Sequence, residues 1–274
     1  MAGAAQTQEL NLAERYHVGN TMNKEEFFQE LRLGSWIQIG HPAVAEIMAA
    51  AGFDWLAIDL EHSVISLREA EDLIRIIDLK GVKPFVRLSS NNPEQIKRVM
   101  DAGAHGVIVP MVKAREDVEQ AVRAVKYPPN GSRSIGLARA QGYGASFDDY
   151  FDWQQDHSIV VVQIEHIDAV RNLPEILSVP GVDAYITGPY DLSGSLGVPG
   201  CFDAPEFLDA MARIEDVAKN YGIPGGAHIV EPDPVELRRK IEGGNRFVAY
   251  GVDTRMLDVI CREGLLAAQQ PISG

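Results

Sequence analysis

Short runs of apolar residues alternate along the chain with longer stretches in which apolar residues recur every three or four positions. Strands that are apolar throughout are buried on both faces, which is typical of a parallel sheet covered by helices. The pattern therefore predicts a strand in each short run. These runs are residues 35–39, 55–59, 84–88, 106–109, 159–165, 182–187, 225–229 and 246–250.

The longer stretches are predicted to be α-helices. They cover residues 43–51, 67–79, 93–102, 114–125, 169–177, 205–220, 234–242 and 256–268. About eight strand–helix units in 274 residues favour a closed (β/α)8 barrel, the TIM-barrel fold, over an open doubly wound sheet. An open Rossmann-like sheet should carry GxGxxG after its first strand, whereas residues 40–43 read Gly-His-Pro-Ala.

The barrel is expected to form one catalytic domain over residues 22–274. Residues 1–21 lack the apolar core of a signal peptide and predict a loosely held extension, with a helix docked on the barrel as the alternative. The connection 127–157 is long and rich in glycine and aromatic residues. It predicts either a lid or binding segment, or a surface excursion whose aromatic rings pack on the barrel or on a neighbouring subunit.

Net charge and cysteine content restrict the expected binding partners and the expected cellular setting. The formal net charge is −14, from 39 acidic and 25 basic residues, which argues against nucleic acid and anionic membranes as partners. No apolar stretch is long enough to span a bilayer. Cys201 and Cys261 are the two cysteines and form no CxxC motif, so a reduced, cytoplasmic setting is expected.

Polar residues at the ends of apolar strands are the candidate site residues, because a (β/α)8 barrel builds its active site at the carboxyl ends of its strands. Gln163 lies two residues before Glu165, so both project from the same face of their strand, towards the barrel axis. The other candidates are Asp59, Glu61, His62, Arg87 and Asp191.

A divalent cation would relieve the repulsion between Glu165 and Asp191 at adjacent strand ends. Carboxylates without a histidine cluster suit Mg²⁺ or Mn²⁺, with Co²⁺ possible. The alternative for Glu165 is an ion pair with Arg87. The glycine-rich segment 187–197 follows the next strand, where exposed backbone N–H groups are suited to hold a carboxylate.

Six short motifs occur in the order found in the HpcH/HpaI aldolase family, and the chain resembles that family from about residue 22 to near its C-terminus. The motifs are Asp59-Leu60-Glu61-His62, Val86-Arg87-Leu88, Met100-Asp101-Ala102-Gly103-Ala104, Val109-Pro110-Met111-Val112, Gln163-Ile164-Glu165 and Gly188-Pro189-Tyr190-Asp191-Leu192-Ser193. The family comprises class II pyruvate aldolases on a barrel of the phosphoenolpyruvate/pyruvate type, including 4-hydroxy-2-oxoheptanedioate and 2-dehydro-3-deoxyglucarate aldolases. The resemblance implies binding of pyruvate to a divalent metal, stabilisation of its enolate, and formation or cleavage of the adjacent C–C bond with an aldehyde.

The resemblance also implies roles for individual residues. Glu165 and Asp191 look like the metal ligands, and Gln163 looks like the group that holds a metal-bound water. Arg87 resembles the arginine at the keto oxygen of pyruvate. An enolate carries negative charge that both the metal and Arg87 can reach.

His62 resembles the catalytic histidine of the family, with Asp101 as the carboxylate that orients it. The backbone N–H groups of Tyr190 and Asp191 would receive the pyruvate carboxylate, while Trp36 would wall the cavity. The substrate-binding residues implied in this way are Trp36, Arg87, Gln163, Gly188, Pro189, Tyr190 and Asp191.

Two residues depart from the family pattern. Tyr190 stands where the family often has alanine, which would place a phenol beside the metal, and His166 follows Glu165 where a small hydroxyl residue is commoner. Strand alternation points His166 away from the axis, so we predict a structural role for it. His41 and His228 near strand ends are predicted to be local hydrogen-bonding residues.

Three alternatives to a metal-dependent aldolase stay open on the sequence. Oxaloacetate decarboxylation passes through the same enolate, a class I aldolase would use a Schiff-base lysine such as Lys113, and a barrel that has lost catalysis would only bind ligands. Members of the family are usually oligomeric. A homo-oligomer, trimer or hexamer, is therefore expected, with residues 207–220 and 256–268 as candidate contacts.

Overall fold

Eight parallel strands close into a barrel in chain order, in a computed structural model that describes residues 22–269. Each strand pairs with the next, and β1 also pairs with β8. The expected (β/α)8 fold is confirmed. The strands are β1 (Arg32–Ile37), β2 (Trp55–Asp59), β3 (Lys83–Arg87), β4 (Gly106–Val109), β5 (Ile159–Ile164), β6 (Ala184–Thr187), β7 (Gly225–Ile229) and β8 (Phe247–Val252).

Helices cover the outside of the barrel, and short polar residues begin many of them. Ser66 forms a capping box with Glu69 at the start of α3, and Asn92 and Asp233 accept first-turn N–H groups of α4 and α11. The helices are α1 (Lys24–Gln29), α2 (Pro42–Ala50), α3 (Leu67–Leu79), α4 (Pro93–Asp101), α5 (Arg115–Val125), α6 (Phe147–His157), α7 (Ile167–Arg171), α8 (Leu173–Leu177), α9 (Pro189–Ser195), α10 (Pro205–Tyr221), α11 (Pro234–Glu242) and α12 (Asp253–Gln269).

The core has two layers because successive strand residues face opposite sides of the sheet. In β2, Trp55 and Ala57 belong to the cluster inside the barrel, whereas Leu56 and Ile58 belong to the cluster between barrel and helices. Phe27 of α1 joins the inner cluster, with its ring 6.4 Å from that of Phe85. The barrel interior is therefore packed with apolar and aromatic side chains.

The connection 127–157 is a packed excursion. It contains a 3₁₀ turn (Arg139–Gly144) and α6, and the guanidinium of Arg133 stacks 4.0 Å from the ring of Tyr127. Because the segment joins α5 to the start of β5, it lies at the amino end of its own barrel. Within one chain it is therefore not a lid over the carboxyl end.

Three short elements differ from the sequence-based prediction. The stretch 169–177 forms two helices, α7 and α8, that meet at Asn172, where Pro174 can occupy only the first turn of the second helix. The glycine-rich segment after β6 contains the helix α9, which was not predicted. Helix α1 was not predicted.

No helix among residues 22–269 is long and apolar enough to cross a membrane. Cys201 and Cys261 are exposed and free. The predicted extension 1–21 lies outside the described residues, so the domain boundary at residue 22 stays a prediction.

Candidate active site at the carboxyl end of the barrel

Neighbouring strands bring most of the predicted site residues together at the carboxyl end. Asp59 ends β2 and Arg87 ends β3, and the two are paired in register. Gln163 lies near the end of β5 with Glu165 directly after it, and Asp191 lies in the first turn of α9 after β6. The parallel sheet therefore gathers one guanidinium and several carboxyl groups at a single opening.

Arg87 is held in a fixed orientation by Asp59 and Trp36. Its Nε and Nη2 donate to the two carboxylate oxygens of Asp59 at 2.9 and 2.7 Å, and its guanidinium stacks 4.4 Å from the Trp36 ring. Burial alone would raise the pKa of Asp59, yet hydrogen bonds and the charge of Arg87 hold that pKa below its usual value. The alternative ion pair between Arg87 and Glu165 is absent among the described residues.

Glu165 is instead enclosed by uncharged donors. Its side chain is 1% exposed, its Oε1 accepts from the backbone N–H of Met111 at 2.6 Å, and its Oε2 accepts from Gln163 Nε2. Burial raises the pKa of Glu165 to about 7, and the negative charges of Glu61 and Asp191 add to the effect. This carboxyl group therefore lacks a cationic partner within the described chain.

Met111 is a site residue that the sequence did not single out except as part of a motif. Its φ of 53° lies in the left-handed region, which is uncommon for a residue with a side chain. This backbone conformation aims the Met111 N–H at Glu165. Because the contact uses the main chain, no side-chain pattern could have revealed it.

Glu61 adds a third carboxyl group to the opening. Its Oε2 lies 3.4 Å from Arg87 Nε, and burial raises its pKa to about 7 against the opposing charge of Arg87. Among residues 22–269, however, no three His, Cys, Asp or Glu side chains are placed to share one metal ion. A cation here would rest on two protein carboxylates and complete its coordination with water or substrate, which suits Mg²⁺.

Several buried polar atoms at the same opening make no hydrogen bond. Gln163 Oε1, Glu61 Oε2 and Trp36 Nε1 are closed off from solvent and make no hydrogen bond among the described residues. Buried polar groups in folded proteins are nearly always paired. The site is therefore suited to a polar ligand, a cation with its waters, or both.

Gly188 allows the backbone after β6 to approach the carboxyl group of Glu165. A Cβ at this position would clash with Glu165 Oε2 and lie 3.1 Å from Gln163 Nε2. The close approach also brings the start of α9 to the site, where first-turn N–H groups have no partner within the helix. The glycine is needed here for space rather than for an unusual φ angle.

Gly188→Ala is expected to lower turnover at least about tenfold and stability by about 1–3 kcal/mol, because the added methyl must displace Glu165 or α9. Gly194→Ala is the matched control, since it lies in the same helix and its Cβ would meet nothing within 4 Å. Urea unfolding and steady-state assays of both variants check this. Equal behaviour of the two variants would contradict the assigned role of Gly188.

His62 and Asp101 are not joined within the chain. The His62 side chain is 56% exposed and lies 3.9 Å from Glu61. Asp101 lies at the end of α4, where burial raises its pKa and its Oδ1 has no hydrogen bond among the described residues. The predicted His62–Asp101 pair therefore stays a prediction, and it requires a contact between two chains.

The Tyr190 side chain lies at the surface, and the expectation of a phenol beside the metal stays a prediction. Its ring is exposed and packs edge-on against Phe202, with centroids 5.0 Å apart. Its backbone N–H lies in the first turn of α9, next to that of Asp191. The side chain thus packs against Phe202 at the surface, while the backbone N–H belongs to the first turn of α9.

The three histidines near the carboxyl ends of β1, β5 and β7 comprise two helix caps and one residue without a hydrogen bond. As predicted, His41 and His166 have local roles, because their Nδ1 atoms accept N–H groups at the starts of α2 and α7. His228 was expected to hydrogen-bond locally, and this was wrong. Its Nε2 is buried without a partner among the described residues.

Lysines offer little support for a Schiff base at this site. Lys113 lies after β4, where its backbone N–H donates to Asp117 in the first turn of α5 and its carbonyl accepts from Asn172, between α7 and α8. Burial lowers the pKa of Lys83 to about 8 and that of Lys126 to about 7, but both lie at the amino end of the barrel. The two lysines with the lowered pKa that suits a Schiff-base aldolase therefore lie at the opposite end of the barrel from the candidate site.

Gln38 and Asp253 complete the frame of the site and were not predicted. Gln38 Nε2 donates to Asp59 at 2.8 Å, and the carboxylate of Asp253 accepts the backbone N–H groups of Gln38 and Ile39. These bonds tie the ends of β1, β2 and β8 together. Neither residue sits in a pattern that distinguishes it from an ordinary loop residue.

Comparisons with a family profile, with related sequences and with solved structures all give the same family. The profile of the HpcH/HpaI aldolase/citrate lyase family matches residues 32–258. The hydroxypyruvate/pyruvate aldolase of Sagittula stellata is 37% identical over 231 residues, covering 82% of this chain and 88% of that protein. The 4-hydroxy-2-oxo-heptane-1,7-dioate aldolase of Klebsiella pneumoniae is 40% identical over 229 residues, covering 82% and 85%. The crystal structure of an HpcH/HpaI aldolase/citrate lyase family protein from Burkholderia cenocepacia superposes with a TM-score of 0.84 at 30% identity, covering 90% and 98%.

Proposed function

Because the chain belongs to the HpcH/HpaI aldolase/citrate lyase family and is a lyase, we propose that it is a metal-dependent aldolase. Its substrates would be pyruvate or a related 2-oxo acid and an aldehyde, joined or separated at the carbon next to the keto group. The observation that carries the proposal is the fixed, buried Arg87 at the same opening as the buried carboxyl group of Glu165, which has no cationic partner among the described residues. A guanidinium in that position is suited to stabilise the negative charge of an enolate.

The residues at the opening fit a divalent cation. Glu165 and Asp191 would hold Mg²⁺, Mn²⁺ or Co²⁺, and the unpartnered Gln163 Oε1 would accept a hydrogen bond from its hydration shell. When bound, such a cation supplies positive charge that favours the enolate form of a 2-oxo acid. The raised pKa of Glu165 supports this assignment, because a buried carboxylate without a cationic partner is costly.

Arg87 would bind the keto oxygen and steady the charge that develops on it. Asp59 fixes the guanidinium from one side, and the Trp36 ring supports its face. A donor that is already oriented costs little reorganisation during the reaction. The backbone N–H groups of Tyr190 and Asp191 would receive the substrate carboxylate near Gly188 and Pro189, at the start of α9.

His62 would move the proton of the substrate hydroxyl, because an imidazole can both accept and donate a proton and its side chain is accessible. Asp101 would orient it from a neighbouring subunit, since no bond joins them within the described chain. The exposed apolar side chains of α12, Leu257 and Ile260, fit a homo-oligomer. The number of subunits, expected to be three or six, stays a prediction.

Subunit mixing tests the shared pair. His62→Ala and Asp101→Ala are each expected to lose most activity, and co-expression of the two variants in mixed oligomers should restore about a quarter of it, the fraction of sites with both groups intact. Differently tagged chains and light scattering establish that mixed oligomers form. Inactive mixed oligomers would exclude a pair that spans two chains.

Metal affinity is expected to rise with pH. The pKa of Glu165 is raised to about 7 without a cation, so below that value a proton occupies the carboxyl group and competes with the cation. Mg²⁺ binding should therefore strengthen between about pH 6 and about pH 8, with proton release at the lower end. Isothermal titration calorimetry in two buffers of different ionisation enthalpy measures both quantities. Affinity and proton release that do not change with pH would refute this reading of Glu165.

The proposed function is tested with a panel of aldehydes mixed with pyruvate or hydroxypyruvate in the presence of Mg²⁺, Mn²⁺ or Co²⁺. Mass spectrometry of the products is expected to show addition of the 2-oxo acid to at least one aldehyde, and chelation with EDTA should stop it. Oxaloacetate consumption without any aldol product would favour a decarboxylase. Full activity after exhaustive chelation would contradict metal dependence.

A further inference from the structure

His228 lies on the inner wall of the opening. It is two residues after Gly226 on β7 and is paired in register with Ala249, which belongs to the cluster inside the barrel. Its ring centroid is 5.0 Å from that of Trp36, and the Arg87 guanidinium also lies against the Trp36 ring. His228, Trp36 and Arg87 therefore form one continuous wall of the site.

The imidazole of His228 has no partner within the described residues. Its Nε2 is buried, and neither ring nitrogen takes part in a hydrogen bond or an ion pair there. A histidine with a structural role normally has at least one such bond, as His41 and His166 do. The wall thus presents a polar group that the fold itself does not use.

The charge state of this imidazole is fixed by its surroundings. Burial lowers the pKa of His228 to about 3, and the positive charge of Arg87 acts in the same direction against the opposing charge of Asp59. The ring is therefore neutral over the working range of pH, with one donor and one acceptor nitrogen. Because the ring carries no positive charge, it is not suited to bind an anion. It is suited to bind a neutral group that both donates and accepts a hydrogen bond, such as a hydroxyl.

We propose that His228 is a specificity-determining residue that forms a hydrogen bond with a hydroxyl group of the substrate. This inference rests on the proposed aldolase function and adds the class of substrate, a hydroxylated 2-oxo acid or a hydroxylated aldehyde. A site built to bind a hydroxyl discriminates against the analogue that lacks it, because its own polar atoms are then left unpaired. An apolar wall at this position would give little such preference.

The experiment compares substrates that differ by one hydroxyl. Pyruvate is compared with hydroxypyruvate against one aldehyde, and acetaldehyde is compared with glycolaldehyde against one 2-oxo acid. kcat/KM is measured for the wild type, His228→Leu and His228→Asn, with His157→Gln at the amino end of the barrel as the control. The melting temperature of each variant reports on folding.

His228→Leu is expected to reduce the preference for the hydroxylated substrate at least about tenfold, while His228→Asn keeps part of it and His157→Gln keeps all of it. The substrate pair in which the preference falls shows whether the hydroxyl belongs to the 2-oxo acid or to the aldehyde. Unchanged preference in both pairs would overturn the inference. If His228→Leu does not fold, the same comparison in His228→Asn decides.

Direct binding separates this inference from the proposed function. Titration of pyruvate and hydroxypyruvate into wild type and His228→Leu in the presence of Mg²⁺ does not depend on turnover. If the wild type forms no aldol product, the proposed function fails. A hydroxyl preference in binding that His228→Leu abolishes would then still support the role of His228, and identical binding in the two proteins would refute it.

Discussion

Glu165→Gln is expected to reduce aldol turnover at least about 100-fold, equivalent to about 2.7 kcal/mol of barrier, without unfolding the protein. Glutamine preserves the shape of the buried side chain and can still accept from the Met111 N–H. It removes the negative charge that would balance a cation. Turnover at saturating Mg²⁺ and the dissociation constant of Mg²⁺, measured by calorimetry, should both change.

The control and a companion variant sharpen this prediction. Glu206→Gln changes an exposed glutamate at the start of α10 and should leave turnover unchanged. Asp191→Asn is expected to resemble Glu165→Gln, because both carboxylates would share one cation. Glu165→Gln protein with wild-type turnover and wild-type Mg²⁺ affinity would remove Glu165 from the cation site.

Arg87→Ala is expected to abolish exchange of the methyl hydrogens of pyruvate with deuterium, a partial reaction that needs no aldehyde. Arg87→Lys keeps the charge but loses the paired hydrogen bonds to Asp59 and the stacking on Trp36. We expect it to lower kcat about tenfold or more, at least ~1.4 kcal/mol of barrier. Proton NMR follows the exchange, and steady-state assays follow turnover.

Arg238→Lys is the matched control for Arg87→Lys, since Arg238 is exposed on α11. It should leave exchange and turnover unchanged. Equal exchange rates in wild type and Arg87→Ala would place Arg87 outside the enolate step. The guanidinium would then serve aldehyde recognition or the structure of the site.

The barrel could be predicted because its signal is repeated along the whole chain. Five predicted strands or helices have the observed bounds, among them β2 (Trp55–Asp59) and α3 (Leu67–Leu79). Errors arose where a local interruption overrides the pattern. The helical period continues across residues 169–177, but a proline cannot donate the hydrogen bond that one continuous helix requires there.

The positions of the candidate site residues at strand ends could also be predicted, but their hydrogen-bond partners could not. Strand ends located Arg87 and Glu165, yet an ion pair between them was an open alternative. The register of β2 against β3 places Asp59 beside Arg87 and so settles that pairing. Glu165 depends on the backbone of Met111, and a main-chain donor leaves no mark in the pattern of side chains.

The surroundings of His228 also could not be predicted from the sequence. Its position near a strand end suggested a local hydrogen bond, which is how His41 and His166 behave. Only the three-dimensional arrangement shows that the ring faces Trp36 with a buried nitrogen left unpaired. A buried polar group that makes no hydrogen bond can be recognised only when the positions of its neighbours are known.

The central claim, that this site forms the enolate of a 2-oxo acid with the help of a divalent cation, is tested most directly by deuterium uptake into pyruvate. Wild-type protein is stripped with EDTA, dialysed, and followed by proton NMR in deuterated buffer with and without added Mg²⁺, Mn²⁺ or Co²⁺. We predict loss of the methyl signal with at least one of these ions and no loss above the protein-free rate in the stripped protein. Full exchange in the stripped protein, or no exchange with any of the three ions, would contradict it.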